Sequence, residues 1–376
     1  MSKAFDTLNH EILLRKLSYY GLKDTSLSWF NSYLSNRAQY VEYNNNKSSI
    51  QNLSIGVPQG SILGPLLFLI YINDMNFVSS MFQCILYADD TTLTSTLCSF
   101  NSTRSPEITI NDELNKIFHW LCANKLSLNI NKTKYMVFHS TQHNITDFPD
   151  LYINGVCLEK TNDFNFLGTT ISSTLSWNTH CSNICKKLSR TIGILKRLQN
   201  MVPTYVLLSI YNSLFVSYIS QSILVWGHQS DKIFKLQKRA VRIVFKVKYN
   251  SHTDVLFKQN KLLKCKDIYR TAAAKFYFKY KNNLLPDYYD GMFDPVPLCH
   301  NYNTRQLQPR AQMSRKKYTS HCIRYLIPKI ISHLPPLVSS KVFTHSLHGF
   351  GNYTKMYYCS KYNEICQIDN CYVCGQ

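Results

Sequence analysis

Asp89 and Asp90 are adjacent carboxylates set inside an apolar, β-prone stretch. Cys84-Ile85-Leu86-Tyr87-Ala88 precedes them and Thr91-Thr92-Leu93 follows. At the tip of a hairpin, two such groups repel each other and lose hydration unless a cation offsets them. Carboxylate oxygens suit a hard divalent cation. The chemistry in view is therefore metal-assisted, with Asp89 and Asp90 as ligands. A solvated surface pair is the bland alternative, and the neighbouring blocks argue against it.

Two further groups of residues have suggestive types. Gly56-Val57-Pro58-Gln59-Gly60-Ser61 runs into Leu63-Gly64-Pro65-Leu66-Leu67-Phe68. Gly56, Gly60 and Gly64 permit backbone paths that bring a loop close to a ligand. Gln59 offers both a donor and an acceptor there. In the tail, Cys359, Cys366, Cys371 and Cys374 lie near one another, but only Cys371-x-x-Cys374 has tight zinc-type spacing and no His falls among them. Packed or solvent-facing thiols are the default for these four, and zinc is not expected.

These groups need elements to position them. Apolar spacing predicts helices over residues 10–22, 26–34, 64–74 and 111–124. Residues 40–43 and 50–55 read as two strands about the turn Asn44-Asn45-Asn46, and residues 84–95 as the hairpin carrying the acidic pair. Short extended segments follow at 126–129 and 135–138, then a strand pair over 166–171. From about Trp177 the pattern turns helical, with a basic amphipathic helix over 185–198 that Met201-Val202-Pro203 ends, and further helices over 205–218 and 231–246. The region after Pro286 reads as irregular. Strands and helices mix without a βαβ repeat, so the fold class is α+β.

Charge separates the two halves of the 376 residues. Residues 1–175 hold 12 Lys and Arg against 14 Asp and Glu, whereas residues 176–376 hold 30 against 8. A basic second half predicts a polyanionic partner, nucleic acid before membrane. In Lys275-Phe276-Tyr277-Phe278-Lys279-Tyr280-Lys281 the aromatics either stack on bases or form a buried helix face; the second role suits most of them. The longest apolar run, residues 62–72, is short and broken by Gly64 and Pro65, so no membrane partner is expected. Thirteen scattered Cys without a secretory signal read as reduced intracellular thiols. Arg315-Lys316-Lys317 is too short a basic run to serve as an address, so the sequence points to no particular compartment.

Ala4-Phe5-Asp6, the Pro58-Gln59-Gly60 loop and Tyr87-Ala88-Asp89-Asp90 stand in the order and spacing of palm motifs A, B and C. The chain thus resembles the reverse transcriptases of non-LTR, jockey-like retrotransposons. The resemblance implies a right-hand polymerase: a palm with part of the fingers over residues 1–175, a basic helical thumb over 176–250, and a basic C-terminal region over 251–376. It implies two-metal transfer of dNTPs onto a DNA primer paired with an RNA template.

By the same resemblance, Asp89 and Asp90 hold the metals and Tyr87 supports the hairpin near the primer end. Phe5 lies under the incoming sugar and excludes a 2′-OH, while Pro58, Gln59 and Gly60 approach template and nucleotide. Lys132, in Leu126-Ser127-Leu128-Asn129-Ile130-Asn131-Lys132-Thr133, takes the motif D position beside the leaving pyrophosphate. Phe166-Leu167-Gly168 takes that of the primer grip. Structural roles compete with several of these: a core ring for Phe5, a strand aromatic for Tyr87, a loop lysine for Lys132.

The family's motif A reads Asp-x-x-x-Ala-Phe-Asp, and its first Asp would fall immediately before Met1. The expectation is a 5′-truncated polymerase that starts inside motif A and is impaired by it. The alternative is a non-catalytic nucleic-acid-binding remnant of such an element, and a weaker third reading is a domesticated host protein with a zinc-binding tail.

Overall fold

A computed structural model describes residues 1, 3–96, 106–142, 148–293 and 322–362. The chain divides into two compact units, Met1–Asn162 and Asp163–Gln376. Both mix helices with small sheets, each sheet being two-stranded among the described residues.

In the first unit, helices His10–Tyr19, Leu63–Ile72 and Pro106–Ala123 bury one core. Leu13, Leu17, Leu67, Phe68, Tyr71, Ile117 and Leu121 form its centre. Asn9 caps the first of these helices, its side chain accepting from Ile12 N–H, and Gly21 follows its end at φ +99°. Polar contacts fix the helices against one another. Lys16 reaches the Tyr71 carbonyl and the Asp74 carboxylate, Trp120 donates to Asp74 at 3.3 Å, and the Tyr71 hydroxyl donates to the Asn124 carbonyl at 2.6 Å. Burial holds Lys16 below the usual lysine range, against the opposing pull of Asp74.

Strand Gln83–Tyr87 pairs antiparallel with Asp90–Thr94. Leu86 and Leu93 pack this hairpin onto the core, while Gln83, Ile85 and Tyr87 alternate outward. Residues 40–55 differ from expectation. Arg37–Gln39 pairs with Gln51–Leu53, and Glu42–Tyr43 pairs with Asn46–Lys47 inside that loop. Asn44 and Asn45 both take positive φ, giving a two-residue turn that fixes this tighter register. Residues 126–129 are not a strand; Ile130–Lys132 is a 3₁₀ turn and only Lys134–Tyr135 enters a ladder, parallel to Glu159–Lys160.

The second unit opens with the hairpin Asp163–Phe166 and Thr169–Ser172. This hairpin also makes hydrogen bonds to residues that follow it. Thr170 N–H donates to His180, Thr169 to Ser222, and Gln221 to the Leu167 carbonyl. Helix Asn178–Leu198 buries Cys181, Ile184, Leu188, Ile192 and Leu195 and leaves Lys186, Lys187, Arg190, Lys196 and Arg197 in solvent. Residues 204–220 form one helical run whose middle, Tyr211–Val216, is a π-helix.

Helices Asp231–Val244 and Cys265–Lys281 complete the centre of this unit. On the latter Tyr277 and Phe278 are buried, so the aromatics interleaved with lysines form a helix face in the core. The region after Pro286 is not irregular throughout. Helices Ile323–Ser332 and Leu347–Ser360 pack their apolar sides on the same core, with Pro328 inside the first. Among the described residues no single helix is long and apolar enough to cross a membrane.

Candidate active site

Ala88 and Asp89 form the two-residue loop of the acidic hairpin, closed by the pairing of Tyr87 with Asp90. Ala88 holds φ at +50°, the sign needed at the first central position of a tight hairpin turn. An alanine there carries a steric cost of roughly 1 kcal/mol that glycine avoids. The turn leaves Asp89 and Asp90 exposed at consecutive positions, with Tyr87, 62% exposed, opposite Asp90 in the ladder.

The start of the chain sits against this tip. The Met1 amino group donates to the main-chain carbonyl of Asp89 at 3.2 Å. The chain then enters the 3₁₀ turn Ala4–Asp6, where Ala4 is buried and the Phe5 ring lies 4.7 Å from that of Phe68. Phe5 is half-buried: one face packs on the core and the remainder is accessible.

The glycine loop is laid directly over this turn. Val57 N–H donates to the Phe5 carbonyl at 2.8 Å and Gly56 N–H to the Leu8 carbonyl at 2.7 Å, while His10 bonds the Gly56 carbonyl at 2.7 Å. A Cβ at Gly56 would lie 2.8 Å from the Asp6 carbonyl oxygen, so the approach requires glycine there. Gln59 donates its amide to the Asp6 carboxylate at 2.7 Å. Ser61 Oγ donates to the Pro58 carbonyl and accepts from Gly64 N–H, which starts helix Leu63–Ile72 and carries Phe68 to Phe5. Gly60, at φ +81°, faces open space.

The first unit therefore joins Phe5 to Val57 and Asp6 to Gln59 by direct hydrogen bonds, with Pro58 between the two loop residues, and joins Asp89 to Met1. Lys132 is exposed on its 3₁₀ turn, its N–H held by the Asn129 side chain, and takes part in no ion pair among the described residues. Its neighbour Lys134 is engaged by Glu159 at 2.6 Å.

Phe166, Leu167 and Gly168 lie in the second unit. Leu167 at φ +46° and Gly168 at φ +81° make a tight turn whose glycine abuts the Gln221 amide. Of the tail cysteines, Cys359 is buried, its thiol donating to the Leu262 carbonyl at 3.6 Å and pushed up in pKa by burial. Cys366, Cys371 and Cys374 lie outside the described residues.

Sequence reasoning missed two of these contacts. Gln59 with Asp6, and the Met1 amine with Asp89, are long-range pairs between exposed polar groups, which carry no periodic signal. Among the described residues no three His, Cys, Asp or Glu side chains converge. The tip offers two carboxylates, and Mg²⁺ is commonly held by one or two carboxylates together with substrate phosphates. The donor chemistry thus fits a Mg²⁺ or Mn²⁺ ion at Asp89 and Asp90.

Residues 1–171 match the reverse transcriptase (RNA-dependent DNA polymerase) family model. The chain is 25% identical over 292 residues to an RNA-directed DNA polymerase from mobile element jockey of Drosophila funebris, which covers 74% of this chain and 31% of that protein. A probable RNA-directed DNA polymerase from transposon BS of Drosophila melanogaster is 26% identical over 264 residues, covering 65% of this chain and 28% of that protein. The chain thus spans under a third of the length of these relatives. The acidic hairpin, the glycine loop and the turn Ala4–Asp6 all lie inside the matched residues, and over this part the chain is similar to reverse transcriptases, including those of mobile elements.

Proposed function

We propose that the chain acts as an RNA-directed DNA polymerase, extending a DNA primer on an RNA template with dNTPs. The observation that carries this reading is the exposed Asp89–Asp90 tip, joined through Met1 to the turn that presents Phe5, Asp6 and Gln59. Divalent ions, when bound, would neutralise the triphosphate and lower the pKa of the primer hydroxyl. The carboxylates of Asp89 and Asp90 hold them there. Phe5, fixed by Phe68, presents a ring edge where a 2′-OH would clash. The Gly56–Gly60 loop brings backbone and the Gln59 amide to the nucleotide and template, and Lys132 supplies an ammonium for the leaving pyrophosphate. Residues 163–175 supply the primer grip through Phe166, Leu167 and Gly168, and the helical, basic remainder grips the hybrid as thumb and C-terminal region.

Primer extension on an RNA template with Mg²⁺ and dNTPs tests it. Extension that Asp89→Ala lowers by about 100-fold or more supports the assignment, since removing a metal ligand takes away most transition-state charge stabilisation. Extension indifferent to Asp89→Ala would sink it.

One observation favours a second reading, a chain that binds nucleic acid without catalysis. The Asp6 carboxylate is engaged by Gln59, leaving two carboxylates at the tip. A variant with Asp placed ahead of Met1 that extends primers where the chain as given does not would assign the given chain to binding.

A further inference from the structure

The second unit holds a cleft of about 320 Å³ that the polymerase reading leaves unused. Its volume lies at the lower end of ligand pockets, ~300–1,000 Å³, with room for one nucleotide and none for a duplex. Much of its lining is apolar, including Val216, Ile223, Leu263 and Ile268. Its charged lining residues are two, Lys275 from helix Cys265–Lys281 and Lys355 from helix Leu347–Ser360. Neither is in an ion pair among the described residues.

Three features mark the cleft as built for a ligand. Thr271 stands one helical turn before Lys275 and is 7% exposed, yet its Oγ1 has no hydrogen-bond partner among the described residues. A buried hydroxyl in that state costs free energy that a ligand's polar group removes. The π-helix Tyr211–Val216 contributes Tyr211, Asn212 and Val216 to the lining, and such widened turns concentrate at functional sites. A Cβ at Gly351 would collide with Lys275 Cε, so the glycine leaves the space that the lysine stem occupies.

We propose that this cleft takes a single nucleotide of an unpaired nucleic-acid strand. Lys275 and Lys355 hold its phosphate, the base lies on the apolar lining, and the Thr271 hydroxyl bonds a base edge or the sugar. The excess of 30 basic over 8 acidic side chains in residues 176–376 draws a polyanion to this unit, and the cleft gives it one fixed point of register. The inference rests on the polymerase reading only for the kind of polyanion.

The test is fluorescence anisotropy of the full chain with a short fluorescein-labelled oligouridine. Lys275→Gln with Lys355→Gln is compared with Lys235→Gln with Lys258→Gln, an equal charge change at exposed residues that do not line the cleft. The cleft pair should weaken binding by about ten-fold, with the salt slope falling by about 0.7 for each phosphate that is no longer neutralised, and the control pair by no more than about three-fold. Thr271→Val should weaken binding by about three-fold while leaving the melting temperature of the free chain unchanged or higher, since it removes an unpartnered buried hydroxyl. Restoring charge with Lys275→Arg and Lys355→Arg should recover most of the affinity, which separates a missing charge from misfolding.

Equal losses in the cleft and control pairs would overturn the proposal, as would undiminished binding of an oligomer lacking its bases. Uridine monophosphate binding more tightly than the oligomer would overturn the strand as occupant. Primer extension on the same samples separates the two readings: cleft-dependent binding without extension removes the polymerase and leaves the cleft, and extension without cleft-dependent binding does the reverse.

Discussion

The Gln59 amide donates to the Asp6 carboxylate at 2.7 Å, tying the glycine loop to the turn that presents Phe5. Both side chains are exposed, so the bond contributes about 1 kcal/mol or less to stability. Its effect is on aim: it fixes the direction of a side chain that would otherwise sample several rotamers. Asp6→Ala is expected to leave the unfolding midpoint nearly unchanged while raising the KM for dNTPs by about three- to ten-fold, and Asp6→Asn, which keeps an acceptor oxygen, should restore most of the loss. Steady-state extension against dNTP concentration reads this directly. A fall in kcat alone, equal for both variants, would mean that Asp6 touches the chemistry and not the loop.

Two glycines of that loop separate conformational strain from close approach. Gly56 and Gly60 hold φ at +85° and +81°, so alanine at either pays for a left-handed backbone, roughly 1–2 kcal/mol. At Gly56 the added Cβ also meets the Asp6 carbonyl at 2.8 Å, whereas at Gly60 it meets nothing within 4 Å. Urea denaturation should therefore show Gly56→Ala to be more destabilising than Gly60→Ala by about 1 kcal/mol or more. Equal losses would mean that the loop shifts freely away from the turn, and that glycine at 56 is needed for its φ only.

The acidic hairpin is legible in the sequence because alternation, apolar flanks and two carboxylates all point the same way, and the helices of the first unit are legible from their apolar spacing. Residues 40–55 mislead by a shift in register: Asn44 and Asn45 both adopt left-handed φ and close a two-residue turn, which a reader of polar runs places one residue too wide. The helices at 323–332 and 347–360 are hidden by Pro328, by Gly349 and Gly351, and by a composition of Tyr, His and Asn that mimics loop. Tertiary burial against helix Cys265–Lys281 overrides those weak propensities. At the candidate site, residue types single out Asp89, Asp90 and Gln59 as candidates, but no local pattern encodes a bond made 53 residues apart, as between Gln59 and Asp6.

His180 gives the second unit a pH dependence of definite sign. It lies 4% exposed between Trp177 and Trp226, with Nδ1 accepting from Thr170 N–H at 3.1 Å. That bond requires the neutral ring with its proton on Nε2, which meets no acceptor among the described residues. Burial, with the Lys187 ammonium adding to it, holds His180 below the usual histidine range. The unfolded chain takes up a proton near pH 6.5, as an ordinary histidine does, and the folded chain resists until lower pH. Between those values the unfolded state binds more protons, so stability falls as pH drops through about 6.5, by at most ~1.4 kcal/mol per pH unit. His180→Asn keeps an oxygen near the Nδ1 position and cannot titrate. Chemical denaturation of both proteins from pH 7 down to pH 5 should show the difference in unfolding free energy, native chain minus variant, shrinking steadily. A difference that stays flat over that range would mean the ring protonates in place, with water reaching Nε2 through the Trp177–Trp226 sandwich.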